Sequence, residues 1–220
     1  MWYKIKRVLI WQNWQEKQIY PARLPSAYQE VEYIQTTGTQ FINTWVFAYN
    51  NYQTETKIEV TWTTQDTPVF WSIDSTGWGN WLWWYYHLTP YNSKWYAWIN
   101  NSESSWWTYN PTSWTQYTIV YNNTNNYLNV NGTDLFSVSW TVWYSWTNIW
   151  ISSRWQWWNR RYWRFKYFYF KIYDKTAGQY IKNLVPCYRK SDNVIGMYDT
   201  IDNQFYTNSW TGTFTKWPNV

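Results

Sequence analysis

The sequence predicts an all-β protein, an antiparallel β-sandwich of the jelly-roll type that follows a short N-terminal β-hairpin. Three observations predict this class. Apolar and polar residues alternate over short runs, turn residues separate these runs at regular intervals, and no stretch has helical periodicity beyond a few residues. The short spacings leave no room for the crossover helices of a parallel sheet. A length of 220 residues is ample for one such sandwich.

The first 22 residues are predicted to form a separate hairpin. The runs "YKIKRVLIW" and "QEKQIYPA" flank "WQNW", which occupies the position of a hairpin loop. A lone hairpin is marginal in water, so we expect this one to dock on another protein. The apolar run Val8–Ile10 is too short for a signal peptide or a membrane span. Residues 23–220 are predicted to form the sandwich itself.

Two strand signals lie in the first two thirds of the sandwich. The run Thr56–Trp62 places Ile58 and Val60 on one face and charged residues on the other, as in a half-buried antiparallel strand. Further along, Asn131-Gly132 separates two alternating runs, and Asn-Gly in this setting is the strongest short-range signal for a hairpin. These patterns favour a meander of short antiparallel strands.

The run "RFKYFYFKIYD" (Arg164–Asp174) is apolar at odd and even positions alike. A strand that is buried on both faces has this composition, whereas a strand with one wet face alternates. The sequence therefore predicts a central strand that is covered on both sides.

Tryptophan is abundant and glycine scarce. The chain has 25 Trp and 7 Gly, whereas average usage would give roughly 15 Gly. Two interpretations stand: either the indoles form aromatic platforms for a ligand, or the gene encodes glycine with UGA codons that were translated as tryptophan. We favour the second hypothesis, because many tryptophans occupy turn-like contexts where glycine is common. Examples are Trp14, Trp81, Trp114, Trp140, Trp146 and Trp210.

Charge and reactive residues exclude several classes of site. The net charge is +5, which is weak evidence for nucleic acid, and the basic aromatic stretch Arg154–Lys166 leaves single-stranded nucleic acid as a minor alternative. The single Cys187 excludes an intramolecular disulfide and is interpreted as a small buried residue after Pro186. The single His87 excludes metal sites that need a histidine pair, and it is interpreted as an ordinary strand residue.

Carboxylates and tyrosines supply the candidate chemistry. Glu55 and Glu59 share a face of a predicted strand at roughly 13 Å, which is too far for a retaining glycosidase pair, so a solvated sheet face is expected. Tyr85, Tyr86 and Tyr109 are candidate sugar-binding residues, because tyrosine offers an apolar ring with a polar tip.

No cofactor is expected, with calcium left open. Asp66, Asp74 and Asp134 lie near predicted strand ends, where hard cations take carboxylate and carbonyl ligands. No EF-hand spacing is present.

Several segments together resemble one family. These are "LPSAYQEVEYIQTTGTQFINTW" near the start and "KIYD", "LVPCYRKSDNVIGMYD" and "FYTNSWTGTFTK" near the end. They resemble LamG-like, concanavalin A-like jelly-roll domains of bacteriophage structural proteins and bacterial surface proteins. The resemblance implies that Asp192, Asp199 and Asp202 lie in structural turns. It also implies glycine at four positions that here hold tryptophan, namely Trp45, Trp163, Trp210 and Trp217.

The resemblance implies a non-catalytic module of a phage-like virion or a cell surface. Such a module would present loops to a glycan or to a surface-protein receptor, and its N-terminal hairpin would bind other virion or surface proteins. The expected location is the virion or the cell exterior, and no enzymatic activity is expected. Two alternatives remain: a polysaccharide-active glycosidase of the concanavalin A-like fold, and a purely structural tail component without a ligand. Fold alone does not decide among them.

Overall fold

The computed structural model describes residues 9–12, 15–18, 23–49, 51–61, 68–74, 83–91, 94–99, 102–106, 111–122, 127–136, 148–152 and 165–220. All regular secondary structure in these ranges is β, and every strand pairing there is antiparallel. None of the described residues belongs to a helix long and apolar enough to span a membrane. The predicted all-β, antiparallel class is confirmed.

The strands form a hairpin and two larger sheets. The hairpin pairs β1 (Leu9–Gln12) with β2 (Gln15–Gln18). The ten-stranded sheet contains β3 (Tyr28–Gln35), β5 (Tyr52–Val60), β10 (Thr115–Asn122), β11 (Tyr127–Val130), β12 (Thr133–Phe136), β14 (Phe165–Asp174), β15 (Gln179–Arg189), β16 (Ile195–Asp199), β17 (Gln204–Thr207) and β18 (Thr215–Asn219). The six-stranded sheet contains β4 (Ile42–Phe47), β6 (Phe70–Asp74), β7 (Trp83–Tyr91), β8 (Lys94–Ile99), β9 (Ser102–Trp106) and β13 (Asn148–Ile151).

The order of the large sheet is β12-β11-β10-β5-β14-β3-β15-β16-β17, with β18 paired to β3. The order of the small sheet is β4-β13-β6-β7-β8-β9. Strands β17 and β4 are therefore edge strands of their sheets. The N-terminal hairpin matches the prediction, while the domain boundary after residue 22 stays a prediction.

The core lies between the inner faces of the two larger sheets. Phe70 of the small sheet packs against Tyr121 and Phe170 of the large sheet, with both ring centroids at 5.9 Å. At the far end, Trp95 meets Tyr117 edge-on at 5.3 Å. Aromatic pairs in such geometries add stability beyond the area that they bury. Aliphatic residues from both sheets complete this cluster, among them Ile34, Ile42, Ile58, Ile119, Ile149, Ile151, Ile172 and Leu184.

Strand β14 is central, as predicted, but only one of its faces is covered by the second sheet. A bulge between Tyr167 and Tyr169 shifts the register, so that Phe170 rather than Tyr169 faces the core. The outer face is half-buried, with Lys57 Nζ lying 4.9 Å from the ring centroid of Phe168. The expectation of full cover on both sides was wrong: Phe168 and Tyr169 on the outer face are only partly buried, with Phe168 contacted by the Lys57 ammonium and the Tyr33 ring.

The hairpin predicted at Asn131-Gly132 is confirmed. It joins β11 to β12, and both turn residues have positive φ, 51° for Asn131 and 82° for Gly132. Two consecutive positive φ angles are what a two-residue hairpin of type I′ requires, and Asn and Gly tolerate them best. The Asn131 side chain also accepts the N–H of Thr118 at 2.8 Å, which ties the turn to β10.

Cys187 lies in a small second cluster on the large sheet, together with Leu24, Val185 and Tyr198. Burial raises the pKa of the Cys187 thiol to about 12. The interpretation of this residue as a small buried side chain is confirmed.

One buried hydrogen bond joins the two sheets through the core. The hydroxyl of Tyr167, on β14, donates to the carbonyl of Val69, which precedes β6, at 2.9 Å. Burial raises the pKa of Tyr167 above its ordinary value, so the phenol stays protonated and remains a donor.

We predict that Tyr167→Phe lowers the free energy of unfolding by about 0.5 to 1.5 kcal/mol, because the buried Val69 carbonyl loses one of its two donors and keeps only the N–H of Ser152. Urea denaturation followed by circular dichroism measures this. Tyr173→Phe, the same change on the half-buried end of β14, is the matched control and should stay within about 0.5 kcal/mol of the parent protein. Equal losses in the two variants would contradict a special role for the Tyr167 hydroxyl.

Candidate functional site

The two sheets meet at their edges, where β4 of the small sheet approaches β17 of the large sheet. Backbone contacts after β17 hold this junction: the N–H of Ser209 donates to the carbonyl of Phe41 at 2.9 Å, and the N–H of Phe41 donates to Asn208 Oδ1 at 3.1 Å. A shallow cleft of about 680 Å³ opens beside the junction. Its lining residues are Trp45, Val46, Ile181, Lys182, Asp202, Gln204, Phe205 and Tyr206.

Lys182 is the buried cation of this cleft, with a side chain that is 6% exposed. Its ammonium donates to Tyr206 Oη at 2.7 Å, contacts Asp199 Oδ2 at 3.0 Å and forms an ion pair with Asp202. These three partners match the three hydrogens of an ammonium group. Burial by itself would lower the pKa of Lys182, but the hydrogen bonds to Asp202, Tyr206 and Asp199 outweigh it and raise the pKa above its ordinary value. Lys182 is therefore charged at any physiological pH.

Asp199 is the structural carboxylate of the cluster. It is fully buried, and its Oδ1 accepts the backbone N–H groups of Asn183 and Ile201, each at 3.0 Å. These bonds fix the turn after β16 and tie it to β15. The resemblance implied this kind of turn-forming role for Asp199.

Asp202 differs from Asp199 because it faces the cleft. Its side chain is 45% exposed and pairs with Lys182 through Oδ2. The carboxylate therefore keeps acceptor positions that a ligand can reach. The resemblance implied that Asp202 lies in a structural turn. Its backbone does lie in the turn between β16 and β17, but its side chain also faces the cleft.

Tyr206 is positioned by close packing of β16 against β17. A Cβ atom on Gly196 would collide with the Tyr206 carbonyl, so glycine is needed there for the two strands to approach. Since the Lys182 ammonium has no acceptor, it must be the donor to Tyr206 Oη. The hydroxyl hydrogen of Tyr206 is then left to donate toward the cleft.

The sugar-binding candidates fall where the structure gives no side chains. Tyr85 and Tyr86 belong to β7, but their side chains are not among the described part of the structure. Tyr109 is outside the described residues altogether. All three stay predictions.

The metal candidates are equally untested. Asp66 lies outside the described residues, and Asp74 ends β6 without a described side chain. Asp134 accepts hydrogen bonds from Tyr127 and Asn129, and the Tyr127 hydroxyl holds the pKa of its carboxyl below the usual range. Among the described residues no group of three or more His, Cys, Asp or Glu side chains could hold a metal ion.

Glu55 and Glu59 form cross-strand ion pairs. The register of β5 against β14 sets Lys171 opposite Glu55 and Lys166 opposite Glu59, with N–O distances of 3.2 and 2.7 Å. Each glutamate therefore has its own lysine partner. The expectation of a solvated sheet face was wrong for Glu59, which is buried. The rest of the basic stretch before Lys166 lies outside the described residues.

The sequence interpretation missed Lys182 and Tyr206. A signal for Lys182 was present: on the alternating strand β15 it shares a face with the core residue Leu184, and a charge at a core position needs partners. Tyr206 carried no comparable signal, because its role depends on the contact between β16 and β17.

No family profile and no curated protein matches the sequence. Solved structures of similar fold include those of Trypanosoma rangeli sialidase. For the complex with sialic acid the TM-score is 0.53 at 13% identity, with 68% of this chain and 27% of the sialidase chain covered. For the covalent intermediate with 2,3-difluorosialic acid the TM-score is 0.49 at 14% identity, with 66% and 25% covered. The chain thus spans about a quarter of the length of these enzymes.

This likeness bears on the expected function. At 13% identity it shows the fold alone, a β-sandwich, and the matched protein is a sialidase rather than a virion or surface module. The expectation of a non-catalytic structural or adhesive module, and with it the expectation of no enzymatic activity, was wrong on this comparison.

We predict that Lys182→Met lowers the free energy of unfolding by about 3 to 5 kcal/mol, because Asp199 becomes a buried carboxylate without its cation. The double variant Lys182→Met/Asp199→Asn should recover part of this loss. Lys171→Met, which breaks a half-exposed pair with Glu55, is the matched control and should cost no more than about 1 kcal/mol. Urea denaturation decides the matter; equal losses for Lys182→Met and Lys171→Met would contradict the buried-cation assignment.

Proposed function

We propose that this chain acts on glycosides and takes a neutral sugar into the cleft beside Lys182. The observation that carries the proposal is the arrangement of three side chains: the buried ammonium of Lys182 holds the half-exposed carboxylate of Asp202 and the hydroxyl of Tyr206 side by side. The fold shared with sialidases supports the class of activity.

The donor and acceptor pattern of the cleft suits a sugar. Tyr206 offers an O–H donor, and Asp202 offers carboxylate acceptors next to it. Both are oriented by a lysine that is itself nearly buried, so their geometry is set before a ligand arrives. A preset donor–acceptor pair beside apolar residues, here Val46 and Ile181, is a common way to bind a polar ligand with an apolar face.

The charge of the cleft selects among sugars. One ammonium and two carboxylates leave the Lys182 cluster with a negative formal charge. An anionic sugar such as the sialic acid bound by the matched enzyme would be repelled, whereas a neutral sugar would not. A negative cluster also stabilises the oxocarbenium-like transition state through which glycosides are hydrolysed.

The hydrolytic step follows from these positions. Asp202 and Tyr206 bond the same lysine nitrogen, so they are close together, as in a retaining pair rather than an inverting one. The Asp202 carboxylate attacks the anomeric carbon and forms a glycosyl ester, and the glycosidic C–O bond breaks. The departing oxygen takes the proton of the Tyr206 hydroxyl, and the nearby Lys182 ammonium compensates the charge left on the phenol oxygen. A water molecule then gives a proton to the Tyr206 phenolate and attacks the anomeric carbon, which releases the sugar and restores the Asp202 carboxylate.

The matching sequence segments support a second, separate proposal. We propose that the sandwich belongs among LamG-like jelly rolls, and that tryptophans matching family glycines are UGA-encoded glycines. The support is the set of matching segments in β3, β15, β16 and β17, together with the excess of Trp over Gly. This affiliation concerns ancestry and composition, so it is independent of the chemistry proposed for the cleft.

We predict that the protein releases reducing sugar from a neutral oligosaccharide, and that Asp202→Asn and Tyr206→Phe each lower the rate by a factor of about 100 or more, as expected for loss of the nucleophile or of the general acid. A panel of neutral and sialylated glycans, assayed for reducing ends, measures this. Asp192→Asn, which alters an exposed carboxylate paired with Arg189, is the matched control and should retain the parent rate.

Thermal melts of each variant keep the assay interpretable. Asp202→Asn leaves Asp199 to neutralise Lys182, so this variant should stay folded. Release of sugar from sialosides alone would contradict the charge argument. Activity that survives both cleft variants would move the site elsewhere, and inactivity on the whole panel would overturn the proposed function.

A further inference from the structure

Two tryptophans adopt a backbone conformation that bulky residues avoid. Among the described residues, six non-glycine residues have positive φ, and two of them are Trp45 at 58° and Trp114 at 64°. In the left-handed region the Cβ atom crowds the following carbonyl, which costs about 1 to 2 kcal/mol for an ordinary L-residue. Glycine escapes this cost, and Asn, the residue at three of the other four positions, tolerates it.

Trp45 lies in a bulge of β4. Its strand has three residues between the pairing partners Asn43 and Phe47, where the facing strand β13 has one. The N–H of Trp45 donates to Asn43 Oδ1 at 2.9 Å, so the backbone of the bulge is well bonded. Where a bulge places a residue in the left-handed region, as in the G1 class, that residue is glycine. The indole gains little in return, because Trp45 is 71% exposed.

Trp114 lies in the turn that leads into β10. Its N–H donates to the carbonyl of Val60 at 2.6 Å, which closes the turn onto β5. The residue is 70% exposed. Lys166 Nζ is 5.8 Å from the Trp114 ring centroid, at the outer limit for a cation–π contact, and the same ammonium already pairs with Glu59 at 2.7 Å. The side chain therefore does not explain the backbone.

We infer that the natural polypeptide carries glycine at positions 45 and 114. At both positions the backbone is hydrogen-bonded in a conformation suited to glycine, while the indole is exposed and unsupported. Position 114 is the more informative of the two. Its turn-like sequence context favours glycine, and it is not among the positions for which the family resemblance implies glycine. This inference sorts tryptophans by backbone conformation, so it does not extend to Trp210 and Trp217, which are also exposed but lack positive φ.

Glycine at position 45 also changes the cleft. Trp45 forms part of its wall, so the natural protein would have a wider opening above Asp202 and Tyr206. The proposed sugar contacts use neither indole.

Paired substitutions test the inference on stability. Trp45→Gly and Trp114→Gly each remove the indole and the strain, whereas Trp45→Ala and Trp114→Ala remove the indole and keep a Cβ in the left-handed region. We expect each glycine variant to raise the folding equilibrium constant about five- to thirty-fold over its alanine counterpart, seen as a higher urea midpoint. Trp217→Gly and Trp217→Ala are the matched control, and there glycine should give no advantage.

Tandem mass spectrometry of the protein from its native source reads the two residues directly, and glycine is expected at both. Tryptophan at either position, or equal stability of the glycine and alanine variants, would overturn the inference for that position. These readouts do not depend on glycan turnover, so failure of the proposed function would leave them unchanged.

Discussion

The contact between the inner faces of the two sheets is the constraint on which the rest of the structure depends. Neither sheet can leave its apolar face in water, and the packing of Phe70 against Phe170 and Tyr121 shows how the two faces interlock. The Tyr167–Val69 hydrogen bond fixes the sheets at one point inside that layer. Once the faces are stacked, the edge strands β4 and β17 must converge, and their convergence creates the cleft.

The cleft shows how a buried charge can be tolerated and then used. Lys182 occupies a position on β15 that alternation assigns to the core. It is stabilised there by the buried carboxylate of Asp199 and by two cleft-lining partners, Asp202 and Tyr206. The other carboxylate oxygen of Asp199 accepts two backbone N–H groups, and these bonds hold the turn in place. The site therefore combines a carboxylate that stabilises the structure, Asp199, with one that a ligand can reach, Asp202. A charge held this way orients neighbouring groups without reorganising when a ligand binds.

Local sequence patterns predicted the parts of the fold that depend on residues close together in the sequence. The Asn131-Gly132 turn and the alternation around Ile58 depend on neighbours in sequence, and both were read correctly. The faces of β14 could not be read, because a bulge after Tyr167 changes which residues point inward, and bulges depend on the partner strand. The site was out of reach for a similar reason: Asp202 and Tyr206 meet Lys182 only after three strands have assembled. At Trp114, the turn-like sequence context and the positive φ angle each indicate, independently, a position suited to glycine.

The measurement that tests the account most directly is a crystal structure of the protein soaked with a neutral oligosaccharide. The account predicts a sugar ring in the cleft, with hydroxyl groups bonded to the Asp202 carboxylate and the Tyr206 hydroxyl and with Lys182 unmoved beneath them. A sugar bound on another surface, with an empty cleft between β4 and β17, would contradict the assignment of the site.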